Sequence, residues 1–111
     1  MLYKYTFRFN AKHNTSLTQN LSHIHTFEVT CIVKQNKADY VLVENQIKEY
    51  LLKYMGQDLN LIMQDVPSIE YMAELFFYDI NNLAKEFEII RLELSDKPIQ
   101  TYIIEKQKKG I

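Results

Sequence analysis

The chain is expected to fold as one α+β domain, an antiparallel sheet of four to five strands with two helices packed on one face. Three observations predict this. Toward both ends of the chain apolar residues alternate with polar ones, the period of a half-buried strand. Between Glu44 and Leu83 the period lengthens to that of amphipathic helices. The length of 111 residues, with 47% apolar and 24% charged, suits a single core spanning residues 1–111.

The first strand is read over residues 3–10. Tyr3, Tyr5, Phe7 and Phe9 fall on one face; Lys4, Thr6, Arg8 and Asn10 fall on the other. Residues 14–22 form a polar loop without periodicity. Alternation resumes over 23–33, with Phe27, Val29, Cys31 and Val33 opposite Thr26, Glu28 and Thr30. Lys34-Gln35-Asn36-Lys37 reads as a hairpin turn, and Tyr40-Val41-Leu42-Val43 as a short returning strand.

From Glu44, Ile47, Tyr50, Leu51, Tyr54 and Met55 follow helical spacing. Glu44 and Glu49 lie toward the positive end of that helix, and Gly56 can end it in a left-handed cap. A second helix starts after Pro67, with Ser68 as N-cap and Glu70 in its first turn. Ile69, Met72, Ala73, Phe76, Ile80 and Leu83 form its apolar stripe. Residues 87–94 and 101–104 read as the last two strands, joined by a turn holding Asp96, Lys97 and Pro98. Helices grouped in mid-chain pack on one face of an antiparallel sheet.

Bulk properties exclude several classes. Thirteen Lys and Arg against fourteen Asp and Glu leave a net charge of −1, so nothing points to nucleic acid or an anionic membrane. Lys106, Lys108 and Lys109 read as a solvated terminus. The single cysteine, Cys31, permits no internal disulfide and fits a reducing, cytoplasmic setting. Residues 1–6 do not have the form of a secretory signal. No apolar run approaches the ~20 residues of a membrane helix.

All three histidines lie within residues 13–25. His23 and His25 are two apart at the start of a strand, so their side chains point to the same side. If the first two strands pair as a hairpin, His13 faces His23 across its loop. Three imidazoles with a free fourth position make an open zinc site. Ligand type alone leaves nickel, iron and copper open, and spacing alone leaves incidental surface histidines open.

The flanking residues narrow the choice. Phe9-Asn10-Ala11-Lys12-His13 resembles the F-x-A-x-H opening of the 6-pyruvoyl- and 6-carboxytetrahydropterin synthase family. Ser22-His23-Ile24-His25-Thr26-Phe27 resembles its H-G-H-x-Y/F block. Leu59-Asn60 resembles the close of D-H-x-x-L-N, Pro67-Ser68-Ile69-Glu70 resembles P-T-x-E, and Leu92-Glu93-Leu94 resembles the V-x-E-T strand, with Tyr102 near a late aromatic. The matches keep family order across nearly the whole chain. The resemblance implies the tunnelling fold, ββ(β)ααββ, assembled as trimers stacked into hexamers with sites between subunits. It implies Zn2+ held by His13, His23 and His25, and a pterin-type ligand gripped by Glu93; the strand pattern by itself leaves Glu93 equally open to being an outward-facing strand residue. A carboxylate can accept two parallel N–H bonds from an amino-pyrimidine edge.

The family's proton carriers do not carry over. No cysteine stands in 14–22, and the Asp-His pair aligns with Met55-Gly56; the H-G-H glycine is Ile24, and the strand-to-helix Asp-Phe is Val43-Glu44. Cys31 shares parity with core residues and reads as a small core side chain. Glu44, Asp58 and Glu70 are other candidate bases, none singled out by spacing. Three functions stay open: a divergent zinc lyase acting on 7,8-dihydroneopterin triphosphate or a relative, a non-catalytic paralogue that keeps the metal site, and a small structural protein with incidental histidines. Positioned acid–base groups typically contribute ~10²–10⁴-fold, so their loss should slow the family's usual reaction.

Overall fold

The computed structural model describes residues 2–14, 23–35, 39–83, 85–97 and 100–107. The loop at 15–22, Asn36 and Lys37 of the expected turn, Pro98, Lys108 and Lys109 lie outside them. Strands β1 (Leu2–His13) and β2 (His23–Gln35) precede helices α1 (Tyr40–Leu52), α2 (Leu59–Ile62) and α3 (Ile69–Asn81), and strands β3 (Phe87–Lys97) and β4 (Gln100–Glu105) follow. The sheet is antiparallel in the order β1-β2-β3-β4.

Alternation decides the layers. Tyr5, Phe9 and Ala11 of β1 and Phe27, Val29, Cys31 and Val33 of β2 are buried on one face. They form one core with Val43, Ile47 and Leu51 of α1 and Met72, Ala73, Phe76 and Ile80 of α3. On the opposite face the register aligns Thr6, Thr30, Glu93 and Ile103 across all four strands. Arg8 pairs with Glu28 at 2.8 Å, and Arg91 with Glu93 at 2.9 Å and Glu105 at 2.7 Å.

Several expectations are corrected. Tyr40–Val43 is the first turn of α1, not a fifth strand. Asp39 caps it, accepting from the Val41 amide at 2.8 Å, and the spacing of buried Val43, Ile47, Tyr50 and Leu51 is helical from the outset. Lys34 and Gln35 belong to β2, so the segment after them leads into a helix rather than a hairpin. With α1 beginning four residues earlier, its first turn holds no acidic residue. Gly56 does adopt φ +74°, but after a turn beyond the helix end at Leu52. Its amide donates to the Asn10 carbonyl at 2.6 Å, so the glycine joins the helix exit to β1. Leu83 falls past the end of α3 and is exposed. The one-turn helix α2 was not expected.

Two irregularities in β3 matter for the site. Between Ile32↔Arg91 and Val33↔Ile89 the register slips, leaving Ile90 as an extra residue. A bulge flips side-chain parity. Ile89 therefore shares the core face with Leu92 and Leu94, and Glu93 points to the far face. A second slip lies between Leu94↔Tyr102 and Lys97↔Gln100, around Ser95 and Asp96.

Candidate metal centre

The sequence segments around His13 fold so as to fix that residue. Lys12 donates its amide to the Gln57 carbonyl at 2.8 Å and bridges to Asp58, covering part of the outer edge of β1. Leu59 is fully buried. Asn60 clamps the backbone just after His13: its amide nitrogen donates to the Asn14 carbonyl at 2.8 Å, and its oxygen accepts from the Asn14 amide at 2.7 Å. Pro67 precedes the N-cap Ser68, whose hydroxyl accepts from the Tyr71 amide at 3.1 Å. The Pro67 carbonyl meets His13 Nδ1 at 2.9 Å. A carbonyl oxygen can only accept, so Nδ1 carries the proton and donates. Nε2 is then the nitrogen that faces away from this anchor. Metal-binding histidines are commonly oriented by such a bond from the second ring nitrogen.

His25 packs beside His13, with ring centroids 4.4 Å apart and planes at 88°. Phe27, fully buried, lies against both, at 5.0 Å from His13 and 6.2 Å from His25. Asp96 closes the group: its Oδ2 is 3.4 Å from His13 Nε2 and 3.5 Å from His25 Nδ1. One ligand atom from each of the three residues lies within 4.8 Å of the others. His13 is 6% exposed, Asp96 12% and His25 28%, so the cluster opens to solvent on the His25 side.

The two separations from Asp96 Oδ2 match the spacing of two ligands on one ion. Two ligands about 2.1 Å from one metal at a tetrahedral angle stand about 3.4 Å apart. A direct charge-assisted hydrogen bond would be shorter, about 2.7–2.9 Å. The donor set of two imidazoles and one carboxylate is one that binds first-row divalent metals.

The sequence-predicted residues are thus divided. His13 and His25 come together. His23 is the Cα partner of His13 across the hairpin but is exposed and outside the three-residue group. Glu93 lies on the opposite face of the sheet, its carboxylate held by Arg91. By sequence Asp96 reads as a turn residue. Antiparallel pairing of β2 with β3 would have brought it near His25, but the two bulges hide that register from the sequence.

No family model matches the sequence, and no curated protein is found as a relative. Solved structures do match. Caenorhabditis elegans 6-pyruvoyl tetrahydropterin synthase superposes with a TM-score of 0.79, covering 96% of each chain at 10% identity. This chain shares that protein's fold. An uncharacterized protein from Wolinella succinogenes superposes with a TM-score of 0.68, covering 96% of this chain and 99% of its own, at 11% identity. The shared fold is the α+β architecture expected above, with four strands among the described residues. No helix among the described residues is long and apolar enough to cross a membrane.

Proposed function

We propose that this protein binds one divalent metal ion, zinc by preference, together with a pterin-type small molecule beside it. The observation that carries this is the convergence of His13 and His25, with His13 oriented by the Pro67 carbonyl, on a scaffold shared with a 6-pyruvoyl tetrahydropterin synthase. Zinc in such a site polarises hydroxyl groups of a bound ligand and lowers their pKa.

The chain's own residues favour binding over rapid turnover. Met55 and Gly56 stand where the resemblance places proton carriers. Cys31 is fully buried, and burial pushes its thiol up to about 12, so it is not a thiolate at neutral pH. A lyase acting on 7,8-dihydroneopterin triphosphate would need its base from another group.

Glu93 as the pterin grip carries a geometric condition. One chain presents Glu93 and the histidine cluster on opposite sheet faces, so a complete site would combine the cluster of one copy with Glu93 of another. A homo-oligomer, trimeric or hexameric, meets that condition.

Metal analysis of the purified protein tests the first half: about one ion per chain in the wild type, and most of it lost in His25→Ala. A metal-free wild type that takes up no added zinc refutes the proposal. Calorimetry with 7,8-dihydroneopterin triphosphate tests the second half. Glu93→Gln should weaken binding, because one acceptor becomes a donor against a donor edge. Refolding His25→Ala together with Glu93→Gln should restore binding in a share of the sites. Unchanged affinity in Glu93→Gln removes the grip role, and failure of the mixture removes the shared site.

A further inference from the structure

We infer that Asp96 is a direct ligand of the metal, so that the centre is a two-histidine, one-carboxylate site built from His13, His25 and Asp96. This rests on the metal-binding function proposed above and departs from the all-imidazole set that the resemblance implies.

The tautomer of His13 carries the argument. Its Nδ1 is committed to the Pro67 carbonyl, so only Nε2 can bind a metal. Asp96 Oδ2 lies 3.4 Å from that same Nε2. A carboxylate acting from behind a histidine ligand would sit at the nitrogen turned away from the metal, and on His13 that place is taken by Pro67. Asp96 therefore stands on the metal side of His13. The same oxygen is 3.5 Å from His25 Nδ1, so one Asp96 oxygen is set at a tetrahedral edge length from both imidazoles.

Three structural features hold Asp96 there. Its side chain is 12% exposed and turned to the helix-side face, where it meets both His13 and His25. The last β2–β3 rung is Glu28↔Ser95, which puts Asp96 beside Phe27, at the floor of the cluster. The register slip between Leu94 and Lys97 falls at this position, and bulges re-aim side chains next to functional sites.

The chemical consequence is a change of charge and of metal class. Three neutral imidazoles leave a divalent ion with its full charge of about +2, whereas one carboxylate reduces it to about +1. The mixed nitrogen–oxygen set suits zinc in an open site and also ferrous iron. His25 is the most exposed of the three side chains, so a bidentate oxygen ligand would reach the ion from that side.

Cobalt(II) is the probe, added to metal-stripped full-length protein and followed by its visible d–d absorption. Asp96→Asn preserves shape while removing the charge; Asp96→Ala, His25→Ala and His23→Ala complete the set, each checked for folding by circular dichroism. Asp96→Asn and Asp96→Ala should weaken cobalt binding by more than the roughly 10–100-fold that follows loss of an outer-shell partner. His23→Ala should bind within a few-fold of wild type with unshifted bands. The assignment is overturned if His23→Ala empties the site while the folded Asp96 variants bind as wild type does; metal binding through histidine then survives. A 10–100-fold loss in Asp96→Asn with unshifted bands also overturns it, making Asp96 a positioning residue. Wild-type protein that binds no cobalt overturns both this and the function above.

Discussion

Phe27 is the residue on which fold and site depend together. It is fully buried in β2, its ring 5.3 Å from Phe9, 5.0 Å from His13 and 6.2 Å from His25. Replacing a buried Phe by Ala removes the transfer energy of the ring and leaves a cavity, at about 3–5 kcal/mol. That is a large share of the ~5–15 kcal/mol typical of a domain. The thermal midpoint should fall by roughly 10–25 °C for a chain near this size. The second effect is local. The two imidazoles rest on this ring, so its loss frees them to rotate, and cobalt affinity should fall even where the protein remains folded. Phe27→Leu, which keeps more of the volume, should retain the fold with a penalty smaller than that of Phe27→Ala while still weakening the metal. Urea unfolding followed by circular dichroism gives the stability; cobalt titration of the folded fraction gives the affinity. A loss below about 1 kcal/mol in Phe27→Ala, with cobalt affinity unchanged, would show that the ring supports neither core nor site.

Other perturbations probe the frame. Tyr50, buried between the helices, donates to Asp79 Oδ2 at 2.5 Å and contacts the Tyr54 hydroxyl at 3.3 Å. Burial first, then the hydrogen bond to Asp79, pushes its phenol pKa upward. A hydrogen bond to a charged group is worth about 1.5–3 kcal/mol, so Tyr50→Phe should lose about that much in urea unfolding; an unchanged midpoint would rule out the clamp between α1 and α3. Gly56→Ala adds a methyl that meets nothing within 4 Å, so its expected cost of about 1–2 kcal/mol comes from the left-handed φ alone, and equal stability would contradict that backbone conformation. Cys31 bears on alkaline pH. Its thiol ionises near 9 in the unfolded chain but only near 12 in the fold, so its contribution is intact below pH 9 and is lost as the pH climbs toward 12, at about 1.4 kcal/mol per pH unit. Tyr50 adds to the same alkaline loss, so the measured quantity is the difference between Cys31→Ala and wild type: the variant's stability should decline less steeply between pH 9 and 11, and parallel curves would contradict a buried neutral thiol.

The local pattern of the chain was enough for most of its elements. Alternation at 3–10 and 23–33 marks β1 and β2 because a strand with one buried face repeats every two residues. Ser68 and Glu70 mark the start of α3 because an N-cap and an early acid satisfy its unpaired amides and dipole. The error at Tyr40–Val43 has a local cause too: four apolar residues in a row fit either period, and only the Asp39 cap and the burial of Val43 with Ile47 decide for helix. His13, His23 and His25 could be grouped from sequence because hairpin register and strand parity are short-range properties; which of their side chains converge is a matter of tertiary packing.

What the sequence could not supply is anything that passes through a bulge. The extra residue at Ile90 reverses the parity of β3, sending Glu93 to the far face and leaving Leu92 and Leu94 inside. The second slip, at Ser95 and Asp96, carries a residue that reads as a turn acid into the histidine cluster. A bulge arises where twist and cross-strand packing favour one additional residue, an energy summed over neighbouring strands rather than written in one of them. Residue types and their periods therefore determined the four strands, the two long helices and a cluster of histidines, whereas only the assembled sheet decided which of them converge and which carboxylate meets them.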